Sequence, residues 1–167
     1  LKSIFYPLSG IFVFKNSEFY LAVCATPLGQ KNQGGHTHND KLSYELWIRG
    51  EDIVRDPGTF VYTPLPGWRN LFRSTSAHEI PNIENVEQND WDELNYGLFG
   101  LKKTSDIWLI DFGERFIELC VKFKEFYLLR RFEINQSCLV VTDKANFKLH
   151  YSKFPYYSNG YGKLINV

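Results

Sequence analysis

Methionine is missing from all 167 residues, even from the first position, where the chain begins LKSIFYPLSG. The sequence therefore reads as a processed or excised piece, and the lack of a visible secretory signal says little about where the parent protein goes. Cysteine is scarce. Cys24, Cys120 and Cys138 are too few for a disulfide framework, and Cys24 and Cys120 sit in apolar runs (FYLAVCAT, FIELCVKF) that suit core packing. No apolar run is long enough to cross a bilayer as a helix. Neither sign of charge is in excess, with 19 basic and 19 acidic side chains and no long basic run, which argues against nucleic acid and acidic membrane surfaces as partners. No segment carries a convincing helical pattern. The best candidate, NVEQNDWDELNYG over residues 85–97, is short and acidic and reads as a loop carrying one turn. Low-complexity linkers and internal repeats are absent as well.

Rings are plentiful instead: 14 Phe, 10 Tyr and 4 Trp. Rings favour strands, and exposed rings favour flat ligands such as sugars. Strand signals recur at short spacing. GIFVFKN and EFYLAVCAT flank Asn16-Ser17 and read as a hairpin. LSYELWIRG alternates, with Leu42, Tyr44, Leu46 and Ile48 facing one way and Ser43, Glu45, Trp47 and Arg49 the other. Gly50-Glu51-Asp52 turns the chain. DIWLIDFG, RFIELCVKF, EFYLLRRFEI, SCLVVTDK and FKLHYSKF follow, mostly across short polar turns. The expectation is one domain over residues 1–167, an all-β antiparallel sandwich with little or no helix. Residues 26–41 and 63–95 are the long polar connections, where sites on a β scaffold tend to lie.

The first of these connections ends in GGHTHND. His36 and His38 are two residues apart. On extended backbone both would line one cleft; if the Gly-Gly turn breaks that geometry, one can bind a metal while the other stays free. Asp56 comes one hairpin later and His78 follows in RSTSAHEI. Two neutral imidazoles and a carboxylate make a reasonable zinc set, with water or another group in the fourth place. The plain alternative is turn and surface histidines, with Asp56 opening a Pro-Gly turn.

The stretch GGHTHNDKLSYELWIRGEDIVRDPGTFVY, followed by WRNLFRSTSAHE, resembles the C-terminal β-sandwich domain of the heparinase II/III-like polysaccharide lyases. The matching positions are Gly35, His36, His38, Asp40, Leu42, Ser43, Asp56, Pro57, Gly58, Thr59, Phe72, Arg73, Ser74, Thr75, Ala77 and His78. Where the family usually writes Asn-Thr after Ala-His, this chain has Glu79-Ile80. The resemblance implies a bacterial enzyme, periplasmic or secreted, that cleaves acidic polysaccharides such as heparan sulfate (a glycosaminoglycan) or alginate by β-elimination at a uronic acid. It implies a supersandwich-like fold and a zinc ion, or another divalent cation, on His38, Asp56 and His78. It further implies that His36 faces the substrate and assists catalysis. An N-terminal helical toroid would be the partner domain that supplies the remaining catalytic groups, and nothing in this chain is helical enough to be it. A non-catalytic glycan-binding or structural module, stapled by the metal, is the alternative.

Beside these, Arg69 and Arg73 could clamp a substrate carboxylate or sulfate, or form a solvated pair. Tyr62 could face the cleft or pack. Trp68 and Trp91 could stack on sugar rings. Asp40 is expected to hold the loop or orient a ligating imidazole. His150, far from the motif, reads as a core or surface residue.

Overall fold

Alternating strands joined by tight turns give two antiparallel meanders in the computed structural model, which describes residues 1–6, 8–136 and 138–167, residue 30 by its backbone alone. Strands take up 44% of the described residues and helices 13%, so the architecture is all-β, as the strand pattern leads one to expect. Contacts divide the chain into two units. Both meanders lie in the first, made of Leu1–Pro27, Lys41–Arg55 and Ser105–Lys148.

In that unit β1 (Lys2–Tyr6), β2 (Ile11–Lys15), β3 (Phe19–Cys24), β4 (Tyr44–Ile48) and β5 (Glu51–Val54) pair antiparallel in chain order. Asn16-Ser17 closes the β2–β3 hairpin, with the Glu18 N–H donating to Asn16 Oδ1 at 2.8 Å. The β4–β5 turn falls on Arg49 and Gly50, both at positive φ, one residue ahead of the expected position. The second meander has the order β11 (Cys138–Ala145), β10 (Phe126–Asn135), β9 (Phe116–Phe123), β8 (Ser105–Gly113). Strands β6 and β7 belong to the other unit.

Burial alternates along β9, where Ile117, Leu119, Val121 and Phe123 are buried, and along β10, where Leu128, Arg130, Phe132 and Ile134 are. This period of two is what a sheet with one covered face requires. Phe132 meets Tyr44 of β4 with ring centres 5.4 Å apart. The buried Arg130 grips Asp143 through two bonds of 2.8 and 2.9 Å and donates to the Leu42 carbonyl at 3.0 Å. One side chain thus ties the covered face of the second meander to the strand entry of the first, completing the sandwich.

The second unit comprises Leu28–Asp40, Asp56–Thr104 and Leu149–Val167. Most of both long polar connections falls within it. Its elements are the one-turn helices α1 (Gly29–Asn32) and α3 (Glu93–Tyr96), helix α2 (Pro66–Arg73), and two short ribbons, β6 (Asp90–Trp91) with β7 (Leu101–Lys102) and β12 (Tyr156–Tyr157) with β13 (Ile165–Asn166). The single turn α3 falls inside the segment read as a loop carrying one turn.

Two readings need correction. Helix α2 was not expected, because no segment carried a convincing helical pattern. Pro66 occupies the first helical turn, where its missing N–H costs nothing. The buried face of α2 carries Arg69 and Arg73 beside Phe72, so polar residues sit where an apolar stripe would have signalled a helix. The second correction concerns FKLHYSKF, which is not a strand. Tyr151 makes one isolated bridge to Pro81 and the Asn82 N–H bonds the His150 carbonyl. The alternating rings serve packing instead: Phe147 against Phe123 and Phe126, Phe154 against Phe72 and Tyr156.

Candidate functional site

His36, His38, Asp40, Asp56 and His78 all belong to the second unit. A turn at Gly35-His36 separates the two neighbouring histidines. His38 is mostly buried and its Nδ1 lies 3.4 Å from Nε2 of the buried His78. The same Nε2 lies 3.4 Å from Asp56 Oδ2. His36 is exposed and leaves this cluster. Its ring stands edge-on to Tyr62 at 5.9 Å and inclined to Phe99 at 5.7 Å. The broken-turn geometry is therefore the one adopted.

Three lone-pair atoms converge on the cluster, and the surrounding hydrogen bonds decide what can sit there. The His78 Nδ1–H donates to the Ser74 carbonyl at 2.9 Å. In neutral His78 this leaves Nε2 as an acceptor facing both a carboxylate oxygen and the other imidazole. Such an arrangement is repulsive unless a proton or a cation lies between the atoms. Burial by itself lowers the His78 pKa, but the hydrogen bond to Asp56, the charges of Asp40 and Asp56 and the Ser74 carbonyl together raise it above the ordinary value. Burial also works against the charged Asp56, and the His78 hydrogen bond and the Gly58 N–H, at 2.8 Å, more than offset it, lowering its pKa. His38 goes the other way: burial and then the His78 charge lower it to about 4, so it is neutral at ordinary pH.

A tetrahedral ion with bonds of about 2.0–2.1 Å separates its ligands by roughly 3.3–3.4 Å, and two such edges share His78 Nε2. Among the described residues no group of three or more His, Cys, Asp or Glu side chains is placed, as it stands, to hold a metal ion. What is present is that pair of edges, a fixed His78 tautomer and a neutral His38.

Buried polar bonds hold the contributing turns. Asn39, between His38 and Asp40, donates to Glu87 Oε2 and to the Asn89 carbonyl, both at 3.0 Å, and accepts from the Asn89 N–H at 2.9 Å. Glu87 Oε2 also accepts from the Thr75 N–H and hydroxyl at 2.7 Å each, so one carboxylate joins the His38 loop to the turn preceding His78. Arg73, 2% exposed, donates from Nε to the Thr37 carbonyl at 3.0 Å. Its Nη2 donates to the carbonyls of Thr37, Phe99 and Gly34 at 2.8, 3.0 and 3.1 Å. Gly34 has φ +67°, and a Cβ there would run into Leu101 and Leu28. Burial and then the neighbouring Arg69 lower the Arg73 pKa to about 10. Arg69 is fully buried, stacks 4.4 Å over Phe99 and donates to Asn70 Oδ1 at 2.7 Å.

Gly35, His36, His38, Thr59, Tyr62, Arg73 and Phe99 line a recess next to the cluster. Tyr62 is exposed at its rim. Trp68 packs among Phe60, Phe72 and Tyr156, and Trp91 lies under the Arg73 guanidinium at 5.5 Å. Asp40 contributes charge to both inner histidines; the direct hydrogen-bond partner of His78 Nδ1 is the Ser74 carbonyl. His150 is exposed. Sequence reasoning missed Asn39, Glu87, Ser74 and Phe99. Asn39 and Ser74 stand inside the quoted motifs, whereas nothing local marks Glu87 or Phe99.

A family model described as heparinase II/III-like, C-terminal, matches residues 2–146. Among solved structures, a heparinase III gene product with methylated lysines is similar with a TM-score of 0.70 at 18% identity, over 98% of this chain and 32% of that one. Another heparinase III gene product gives 0.67 at 23% identity, over 95% and 24%. A mutant of heparan sulfate lyase HepC from Pedobacter heparinus gives 0.63 at 20% identity, over 87% and 22%. At such identities the likeness is one of fold, and the chain spans a third or less of the length of these proteins. No curated protein sequence matches it.

Proposed function

The chain belongs to the heparinase II/III-like C-terminal family, and on that premise we propose that it is the sandwich part of an exported polysaccharide lyase acting on uronic-acid glycans. The reaction is β-elimination, carried out together with a helical toroid domain of the parent protein. The observation that supports this best is the division of labour within HTH: His38 turns inward to His78 and Asp56, and His36 turns outward beside Tyr62. Elimination needs the uronate carboxylate neutralised, the C5 proton removed and the leaving oxygen protonated. The exposed His36 imidazole can meet one of these needs, as base or as charge neutraliser. Tyr62 borders the same recess.

His38 Nδ1, His78 Nε2 and Asp56 Oδ2 would hold zinc, or another divalent cation. A bound ion would supply the positive charge that these three lone pairs face, and would fasten three turns to one another. Arg73 keeps the carbonyls of the His36 loop in place from behind.

Elemental analysis of the reloaded chain is expected to give one zinc per molecule, retained by His36→Ala and lost by His38→Ala. In the parent protein His36→Ala should depress formation of the unsaturated uronate product, followed by its ultraviolet absorbance. Retention by both variants would place the metal elsewhere, and loss from His36→Ala alone would reverse the two roles. Glycan binding by the parent without any unsaturated product would favour a metal-stapled binding module over a lyase.

A further inference from the structure

We propose that Tyr161, together with Tyr62, forms a stacking subsite for one pyranose ring of an acidic glycan, next to His36. The inference rests on reading the His36 recess as the glycan cleft and goes beyond it in assigning a second binding element. Tyr62 joins the recess to the Tyr161 shelf: its ring centre lies 5.9 Å from those of His36 and Phe99 and 5.9 Å from that of Tyr161, to which it is inclined by 31°. The two side chains are 40% and 62% exposed. Two adjoining rings left in water at the edge of a recess present apolar faces with hydroxyl tips. That is the surface which binds the C–H face of a sugar while its hydroxyl groups stay hydrogen-bonded.

The shelf is braced. Tyr161 sits in the loop between β12 and β13, whose pairing runs Tyr156 to Asn166 and Tyr157 to Ile165. The Gly162 N–H donates to the Phe60 carbonyl and the Ser158 N–H to the Pro57 carbonyl, both at 2.8 Å. Within the loop, Ser158 Oγ donates to the Gly160 carbonyl at 2.9 Å and the Lys163 N–H to the same carbonyl at 3.0 Å. Gly58, at φ +82°, lets the Ser158 carbonyl approach so closely that a Cβ there would collide with it. The hairpin carrying Tyr161 is therefore bound on both sides of that residue to the segment carrying Asp56 and Tyr62. The backbone that carries both rings is held before any ligand arrives, which limits the ordering cost of binding. Tyr161 also lies beyond residues 2–146 matched by the family model.

The test titrates the intact chain with size-defined heparan sulfate and alginate oligosaccharides by calorimetry, with melting temperatures in parallel. Tyr161→Ala should weaken binding about three- to ten-fold, the range expected for one ring contact. Tyr161→Phe should keep most of the affinity. Tyr161→Leu, which retains apolar bulk without a flat face, should bind as weakly as Tyr161→Ala. Melting temperatures should move little, since the side chain is largely in water. Wild-type affinity in Tyr161→Ala or Tyr161→Leu, with weakened binding in His36→Ala, would overturn the subsite and leave the cleft reading standing. Unchanged affinity in all of these variants, or no binding of either glycan, would overturn both.

Discussion

Arg73→Ala is the perturbation that reports most directly on how the site is held. Its guanidinium makes four hydrogen bonds to the carbonyls of Gly34, Thr37 and Phe99. Keeping the buried charge is costly in itself: burial and the neighbouring Arg69 lower its pKa to about 10, a penalty of ~3 kcal/mol, which truncation would recover. Against that gain, three carbonyls lose their donor at about 1–3 kcal/mol each, and the deleted stem leaves a cavity worth a further ~1–2 kcal/mol. Loss wins, and a net destabilisation of about 1–8 kcal/mol is expected from urea unfolding. Arg73→Lys keeps the charge but not the planar fork and should recover only part of it. In conditions where the variants remain folded, the imidazole resonances of His36 and His38 should shift and broaden, because their loop has lost its clamp. Stability within 0.5 kcal/mol of the parent, with both imidazole resonances unmoved, would refute this account; that limit is about the scatter of surface substitutions.

Two further outcomes follow from the buried charges. In the metal-free chain His38 titrates near 4 when folded and near 6.5 when unfolded, so the unfolded state takes the proton first as pH falls. Stability should drop between pH 6.5 and 4 by on the order of 3 kcal/mol at most, and His38→Ala should flatten that drop in urea titrations. His78, raised, has the opposite sign: its contribution is full below about 6.5 and is lost as pH rises through its folded pKa. That same proton must leave before a metal can bind, so zinc affinity measured by competition should climb over that range. Arg130→Met should cost about 3–5 kcal/mol by stranding the buried Asp143, and the double variant Arg130→Met, Asp143→Leu much less; equal costs for single and double would mean that the pair is not coupled.

Strands of the sandwich were legible because their period is local. In β9 every second residue is apolar and buried, in β10 the same alternation is interrupted by the buried Arg130, and the turn between them is two residues long. What escaped was governed by long-range polar contacts. Helix α2 turns two arginines and a phenylalanine inward, and nothing local signals that Arg73 is buried, because the carbonyls that accept from it, of Gly34, Thr37 and Phe99, lie far away in the sequence. FKLHYSKF alternates like a strand, yet a ladder needs a neighbour and only Pro81 offers one bridge. The inner cluster was legible as a set, His38 with Asp56 and His78, because the motif spacing carries it. The carboxylate that joins its turns, Glu87, comes from a stretch with no distinguishing local pattern.

The geometry around His78 explains why two histidines two residues apart can differ so much. His78 is buried and His38 half-buried, the two are set against one another, and Asp56 is turned toward the same point. Only one proton, or one cation, can satisfy the three atoms together. His36 shares none of that constraint, since its ring rests on Tyr62 and Phe99 and is open to solvent. Its position nevertheless depends on the same loop, because Arg73 holds the carbonyls of Gly34 and Thr37 on either side of it. The energetic strain of the inner cluster and the placement of the outer imidazole are therefore linked through two residues of backbone. A substitution that relaxes the cluster without touching His36, such as Asp56→Asn, should still move the His36 resonance. If that resonance stays fixed while His78 responds, the two histidines are independent and the loop transmits nothing between them.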